Sequence, residues 1–330
     1  EGVINMYRSR DLFAGIGGIR LGFENAFESD IKTVFASEIE KKVQETYRAN
    51  FNDEFEINGD IQQIEASSIP DHDILLAGFP CQAFSLAGRK LGFEDARGTL
   101  FFDVARIAKF HKPKVIFCEN VKNLTTHDKG NTFEVIKNTL LELGYKIFFK
   151  VLNSKNFGVP QNRERIYLVA FRNDIAPEEF EFPENLNNKT VIGDIVEEQE
   201  VSPKYYLSDV YMQSLRNHKK RHASKGNGFG YQIRGMDEVA GAVVCGGMGR
   251  ERNLIIDKKL TNFVPVTHIK GEINREYIRK MTPREWARLQ GFPDDFKFVV
   301  ADTHLYKQFG NTVTVPVIEA IAKKIKDVLD

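Results

Sequence analysis

Three groups of residues in this 330-residue chain have types and spacing suited to chemistry on a flat, polar heterocycle. Cys81 follows Gly78-Phe79-Pro80 at the end of Asp73–Phe79, an apolar run that reads as a strand. The carboxyl end of a parallel strand is where open α/β sheets hold ligands. Free cysteine is more often buried than reactive. Here, however, Pro80 fixes the backbone beside Cys81 and the residues after it are loop-like, so a nucleophilic thiolate is the expectation. Cys118 lies inside an apolar run and reads as packing. Glu119-Asn120 follow the strand Val115–Cys118, and Gln161-Asn162-Arg163-Glu164-Arg165 precede Ile166–Phe171. A carboxylate and two guanidiniums converging on one cysteine suit a planar heterocycle, although each alone could be a structural ion pair.

A second constellation points to a nucleoside. Asp11-Leu12-Phe13-Ala14-Gly15-Ile16-Gly17-Gly18 lies between a candidate first strand and a helix over Ile19–Phe27. Glycines at such a turn let a ligand approach the backbone, but a tight turn with no ligand is the competing reading. Glu38 follows the second strand, where an acidic side chain would bind ribose hydroxyls. Asp60, in Gly59-Asp60-Ile61, could accept from an adenine amino group. An adenosine-containing cofactor is implied. The G-x-G-G spacing differs from G-x-G-x-x-G, which disfavours a nicotinamide-dependent oxidoreductase.

These residues need a scaffold, and the first half of the chain supplies its pattern. Ile31–Ala36, Asp73–Phe79, Val115–Cys118, Tyr145–Leu152 and Ile166–Phe171 are short apolar runs, alternating with amphipathic stretches such as Ile19–Phe27 and Thr132–Leu143. Gly144 stands where a C-terminal helix cap belongs. The alternation predicts an α/β fold with a doubly wound, mostly parallel sheet. Tyr7-Arg8-Ser9-Arg10 is more polar than a central strand should be and suggests a tolerated edge. After Pro183 short strands, glycines and basic residues suggest a second, less regular domain. Thr282-Pro283-Arg284-Glu285 reads as a capping box opening a helix that Gly291 and Pro293 close, and Val315–Leu329 as a last amphipathic helix.

Composition bounds the rest. Lys+Arg and Asp+Glu both number 46, yet residues 1–200 sum to −8, 201–290 to +9 and 291–330 to −1. The positive block holds Arg216–His222 and two glycine-rich loops, Lys225–Tyr231 and Gly246–Arg252. The basic run alone reads equally well as a solvated helix face; the loops tip the balance toward a polyanion-binding module. Gln82–Gly98, with Arg89, Lys90 and Arg97 among glycines, reads as a mobile basic lid. No apolar run approaches the ~20 residues of a membrane span. Residues 1–5 lack a signal-peptide layout, and three cysteines suit neither a disulfide framework nor a zinc site. A cytoplasmic, bacterial-type intracellular protein is expected.

Taken in order, Asp11–Gly18, Gly78–Gln82, Glu119-Asn120-Val121, Gln161–Arg165, Arg284–Pro293 and Gln308–Asn311 resemble the motifs of the cytosine-C5 DNA methyltransferases, across nearly the whole chain. The resemblance implies a Rossmann-like catalytic domain over 1–189, an inserted target-recognition domain over 190–300, and a segment over 301–330 returning to the catalytic domain. It implies S-adenosyl-L-methionine as cofactor, S-adenosyl-L-homocysteine as product and double-stranded DNA as partner, with a monomer and no obligate protein partner expected. Cys81 would attack C6 of a flipped cytosine, Glu119 would hold N3 and N4, and Arg165 would bind O2, with Arg163 supporting it or contacting phosphate. Phe13, Gly15, Gly17, Gly18, Glu38, Ile39, Asp60, Ile61, Pro80, Leu100, Asn311 and Val313 fall at cofactor positions. Ile39 stands where a relative has an aromatic beside adenine, and Ala87 replaces a loop serine. Gln82, Ser85, Arg89 and Arg97 in the lid, and Lys225, Arg234, Arg250 and Arg252 beyond it, are the candidate DNA contacts, arginine being suited to guanine O6 and N7. Likeness of the variable region to one modification methyltransferase further implies a CCGG target, methylated at the inner cytosine. A tRNA cytosine-C5 methyltransferase is disfavoured by the long basic insertion, and a non-catalytic DNA-binding regulator by the intact Cys81, Glu119 and Arg165.

Overall fold

The computed structural model describes residues 6–80, 96, 99–186, 188–265 and 271–330. Cys81, Gln82, Ser85, Ala87, Arg89 and Arg97, and with them nearly all of the expected lid, lie outside the described residues. Eight strands and eight α-helices carry the argument: β1 (Tyr7–Leu12), α1 (Gly18–Phe27), β2 (Ile31–Ser37), α2 (Lys41–Asn50), β3 (Ile74–Ala77), α3 (Leu100–His111), β4 (Val115–Val121), α4 (Asn131–Glu142), β5 (Tyr145–Asn153), β6 (Gln161–Asn162), β7 (Glu164–Arg172), α5 (Asp209–Ala223), β8 (Ala240–Gly241), α6 (Pro283–Leu289), α7 (Asp302–Asn311) and α8 (Val315–Leu329).

Six strands form one sheet in the order β2-β1-β3-β4-β7-β5. Pairings among β2, β1, β3 and β4 are parallel, while β7 runs antiparallel to both its neighbours. Alternation along β3 sends Leu75 and Ala77 to one face, against α3 and α4, and Ile74 and Leu76 to the other, against α1 and α8. Helices on both faces make the expected α/β sandwich. Helices α1 and α8 approach closely because Gly22 faces Ile318, leaving no room for a Cβ.

The polar first strand proves to be central, between β2 and β3, and not an edge. Specific neighbours take up Ser9 and one end of Arg10, while Arg10 Nε and Nη1 and both Asp11 carboxylate oxygens are buried without a hydrogen-bond partner among the described residues. Ser9 and Thr33 share a hydroxyl hydrogen bond of 3.1 Å across β1 and β2. The fully buried Arg10 donates from Nη2 to the Pro70 carbonyl at 2.6 Å and lies over the Phe35 ring at 5.1 Å. Burial lowers its pKa to about 9. Burial likewise raises the Asp11 pKa well above the usual carboxylate value, which favours its neutral form. His72 is pushed down to about 2, first by burial and then by the Arg10 charge.

Between β7 and α7 the chain is mostly irregular apart from α5, α6 and paired segments of two residues. Residues of this stretch share a core with the C-terminal elements: Ile192, Val243, Ile255 and Trp286 cluster with Phe309 and Val315. Strand β6 pairs with β8 in a separate two-stranded sheet, tying Ala240 and Gly241 to the segment just before β7. The capping box forms as read: Glu285 N donates to Thr282 Oγ1 at 3.2 Å, and Thr282 N to Glu285 Oε2 at 2.8 Å. Gly144, at φ +89°, follows α4 as its cap. The tail then returns across the sheet, where Tyr7 donates its hydroxyl to the Leu329 carbonyl at 2.9 Å.

Candidate active site and cofactor pocket

Parallel strands bring the ends of β1, β2, β3 and β4 to one edge of the sheet, where two adjoining cavities open. The smaller, about 120 Å³, is walled by Phe13, Glu38, Ile39, Asp60, Ile61 and Leu100. The larger, about 490 Å³, shares Phe13, Glu38, Ile39 and Leu100 and extends past Gly15 and Pro80 to Glu119, Arg163, Arg165 and Asn311. Most of the described sequence-predicted residues therefore converge. Gly17, Gly18 and Val313 do not wall either cavity. Gly17 faces the Phe51 ring, and Gly18 faces Thr312 and Val313. They bear on the cofactor turn through packing.

The smaller cavity offers carboxylate acceptors suited to the hydroxyl and amino donors of an adenosine. Glu38 accepts from Gly15 N at 3.0 Å and from Glu40 N at 2.9 Å, which fixes the carboxylate while leaving lone pairs for ribose hydroxyls. Asp60 Oδ1 accepts from Gln62 N at 3.0 Å, leaving Oδ2 for a further donor. Phe13, held at φ +54°, brings its ring to both cavities in a conformation costly for a non-glycine residue. Ile39 is 67% exposed at the rim, offering an apolar wall without an aromatic face. Behind the turn, Arg20 clamps α1 to α2 through Tyr47 and to Asp53 by paired bonds of 2.7 Å.

The reversal of β7 builds the larger cavity. In the β4–β7 register Glu119 opposes Tyr167 and Val121 opposes Arg165, so Glu119 and Arg165 are diagonal neighbours on one face. Arg165 Nε lies 3.4 Å from Glu119 Oε1. Glu119 is buried, and desolvation raises its pKa despite the opposing pull of Arg165 and then Arg163. Burial makes this carboxyl easier to protonate beside a fixed cation, so it can accept from a heterocycle edge and, once protonated, donate to it. Cys118, one residue earlier, faces the other way into the core; burial pushes its thiol up to about 12, consistent with packing and not reactivity.

Arg163 does not reach outward toward phosphate. It is buried, donating from Nη1 to the Val243 carbonyl at 2.7 Å and from Nη2 to the Thr312 carbonyl at 2.8 Å. It thus ties the backbone at Val243 and Thr312 to the start of β7, and burial lowers its pKa to about 10. Asn120 has a role the sequence did not reveal. Its Nδ2 donates to the Phe79 carbonyl at 2.8 Å, anchoring the backbone just before Pro80. Gln161 and Gln290 were also missed as a pair: Gln161 Nε2 donates to Gln290 Oε1 at 3.0 Å, and Gln161 Oε1 accepts from Val243 N. Amides beside or near motif arginines were the available signal, but Gln161 lies 129 residues from Gln290 and 82 from Val243.

Among the candidate DNA contacts, Lys225 is exposed just beyond α5. Arg234 and Arg252 line a separate cavity of about 420 Å³ with Phe229 and Gln232. Arg250 instead lies over the Tyr306 ring of α7 at 5.3 Å, away from that cavity. Among the described residues no helix is long and apolar enough to cross a membrane.

The family described as C-5 cytosine-specific DNA methylase matches residues 7–327. Type II methyltransferase M.HpaII of Haemophilus parainfluenzae is 56% identical over 323 residues, 97% of this chain and 89% of that protein. Type II methyltransferase M.HhaI of Haemophilus parahaemolyticus is 42% identical over 319 residues, 96% and 93% of the two chains. Among solved structures, the Entamoeba histolytica methyltransferase EhMeth aligns with TM-score 0.75 at 20% identity, covering 98% of this chain and 99% of that one. The S. pombe Dnmt2 methyltransferase has the same score at 19% identity, with the same coverage, and both likenesses concern the fold. With that family spanning residues 7–327, from β1 into the returning helix α8, the chain belongs to the C-5 cytosine-specific DNA methylases and is a DNA (cytosine-5-)-methyltransferase.

Proposed function

We propose that this protein is the modification half of a type II restriction–modification system, methylating the inner cytosine of CCGG in double-stranded DNA. The juxtaposition of Glu119 with Arg165 on one cavity that continues to Glu38 is the observation that carries the catalytic part of the reading. The likeness to type II methyltransferases, M.HpaII among them, supports the biological setting and the target. Residues 190–300 would form the DNA-reading insertion, 1–189 and 301–330 the catalytic body, and the protein would act in the cytoplasm as a monomer without an obligate protein partner.

The cofactor implied is S-adenosyl-L-methionine, which when bound supplies an electrophilic methyl on a sulfonium and leaves as S-adenosyl-L-homocysteine. Phe13, Gly15, Glu38, Ile39, Asp60, Ile61, Pro80, Leu100 and Asn311 would hold it, with Gly17, Gly18 and Val313 shaping the turn from behind. Ring carbon C5 of cytosine is a poor nucleophile, and C6 is shielded in a duplex, so the base must leave the stack. The Cys81 thiolate would add to C6, making C5 an enamine carbon able to accept the methyl. Glu119 would hold N3 and the N4 amino group as charge develops, and Arg165 would bind O2. Arg163 would support both from behind. A base then removes the C5 proton, and the electron pair returning to the ring expels the Cys81 thiolate.

Duplex containing 5-fluorocytosine at the target tests the reading, because the C5–F bond cannot be broken by proton removal. The wild type with S-adenosyl-L-methionine should form a stable covalent adduct and Cys81→Ala none. Absence of adduct from the wild type, or the same yield from both proteins, overturns the mechanism. Bisulfite sequencing of the product then checks the target, and methylation spread outside CCGG refutes the specificity.

A further inference from the structure

The cavity of about 420 Å³ in the insertion is lined by two arginines and a glutamine arranged by backbone geometry. Residues 232–234 run extended beside 252–254: Gln232 N donates to the Glu251 carbonyl, Leu254 N to the Gln232 carbonyl, and Arg234 N to the Leu254 carbonyl. Extended backbone puts Gln232 and Arg234 on one side, and Ile233 on the other. Gln232 Oε1 accepts from Arg234 Nη2, and Arg234 Nε reaches the Arg252 carbonyl at 3.4 Å. Gly241 leaves room for this arrangement, since a Cβ there would lie 3.2 Å from Arg234 Nη2. The Arg252 guanidinium is laid over the Phe229 ring at 4.7 Å.

Charge pairing sets these two arginines apart. Arg216, Arg279 and Arg288 of the same region pair with Glu276, Glu285 and Asp294. Neither Arg234 nor Arg252 has a carboxylate within ion-pair distance among the described residues. Because the Gln232 oxygen is turned toward Arg234, the pair offers only donors outward: the Gln232 amide NH₂ and the remaining guanidinium N–H groups. The major-groove edge of guanine offers two acceptors, O6 and N7, whereas adenine and cytosine each present an amino donor there. A donor-only surface matches guanine, faces an amino donor at adenine and cytosine, and meets at thymine a single acceptor, O4, beside a methyl group.

We propose that Gln232 and Arg234 form a single guanine-reading unit, with Arg234 contacting the base and Gln232 a positioning residue that fixes its fork. This rests on the DNA-methylating function proposed above. A phosphate is also acceptor-rich, but a phosphate contact carries no sequence preference. That difference makes the two separable.

The experiment methylates a pool of duplexes randomised around the target cytosine and reads the accepted sequences for each protein. The wild type should favour guanine at one position by roughly 5- to 150-fold, the range one bidentate pair supports. Arg234→Lys and Gln232→Leu should relax that same position about tenfold. Gly241→Ala, which crowds the guanidinium without touching its charge, should relax the same position again. Uniform loss across all sequences with an unchanged preference would mean a phosphate clamp and overturn the proposal, as would relaxation at different positions in Arg234→Lys and Gln232→Leu. If the wild type methylates no duplex in the pool, the function itself fails, an outcome distinct from any change of preference.

Discussion

Glu119 shows what burial does to a single side chain. Its carboxyl is removed from water beside the Arg165 guanidinium, and desolvation outweighs the attraction, so its pKa rises. A folded-state value above the unfolded one means that the folded protein binds more protons between the two. The ionised form therefore costs stability at neutral pH, and the cost fades as pH falls through the raised value toward the unfolded one. Glu119→Gln removes the buried charge while keeping the shape. It should raise the Tm at pH 7.5, with the gain shrinking toward pH 4.5, and lower kcat by roughly 10²- to 10⁴-fold because the amide cannot transfer a proton. Thermal melts across pH and single-turnover methylation check both halves; an unchanged kcat refutes the assigned role. Cys118 is the opposite case, a buried thiol with no charged neighbour naming it as reactive.

At the scale of elements, the turn from β1 into α1 separates glycines that look alike in sequence. Gly17 has φ +87°, and a Cβ there would fall 2.2 Å from a ring carbon of Phe51. Gly15 has φ +55° and nothing within 4 Å of such a Cβ. Gly17→Ala should therefore cost about 2–4 kcal/mol in denaturant unfolding, from backbone strain and overpacking together. Gly15→Ala should cost about 1 kcal/mol from backbone conformation alone, while weakening cofactor binding because Gly15 walls the cavity. Equal stability losses for the two would contradict the packing described. Element positions were legible where the signal was local: the Thr282–Glu285 capping box, the Gly144 cap and the α8 periodicity all form as read. The polarity of β1 misled because its compensation comes from Thr33, Phe35 and Pro70, which local pattern cannot reveal.

For the molecule as a whole, charge is segregated along the chain, with the excess of +9 falling in residues 201–290. Helix α5 carries the steepest part, and Lys220 and Arg221 are exposed on it. If they meet phosphates, DNA affinity should fall with salt, and replacing each by Ala should make the log–log slope shallower by about 0.9, with base preference unchanged. Binding titrations between 50 and 200 mM salt, a range over which such slopes are readily resolved, test this. An unaltered slope would place α5 away from the DNA backbone. The same measurements separate α5 from the Gln232–Arg234 unit, whose loss should alter preference.

By itself the sequence determined which groups could do chemistry: a cysteine after proline, a carboxylate at the end of an apolar run, a paired-arginine segment and a glycine turn, each recognisable from neighbours in the chain. It also determined the α/β class, since periodicity is a local property. Tertiary structure decided which of these meet. The antiparallel insertion of β7 between β4 and β5 sets Arg165 beside Glu119 and turns Arg163 inward to the Val243 and Thr312 carbonyls. Those partners lie 80 and 149 residues from Arg163, and strand order and register at such separations follow from packing the whole sheet, which no local spacing encodes.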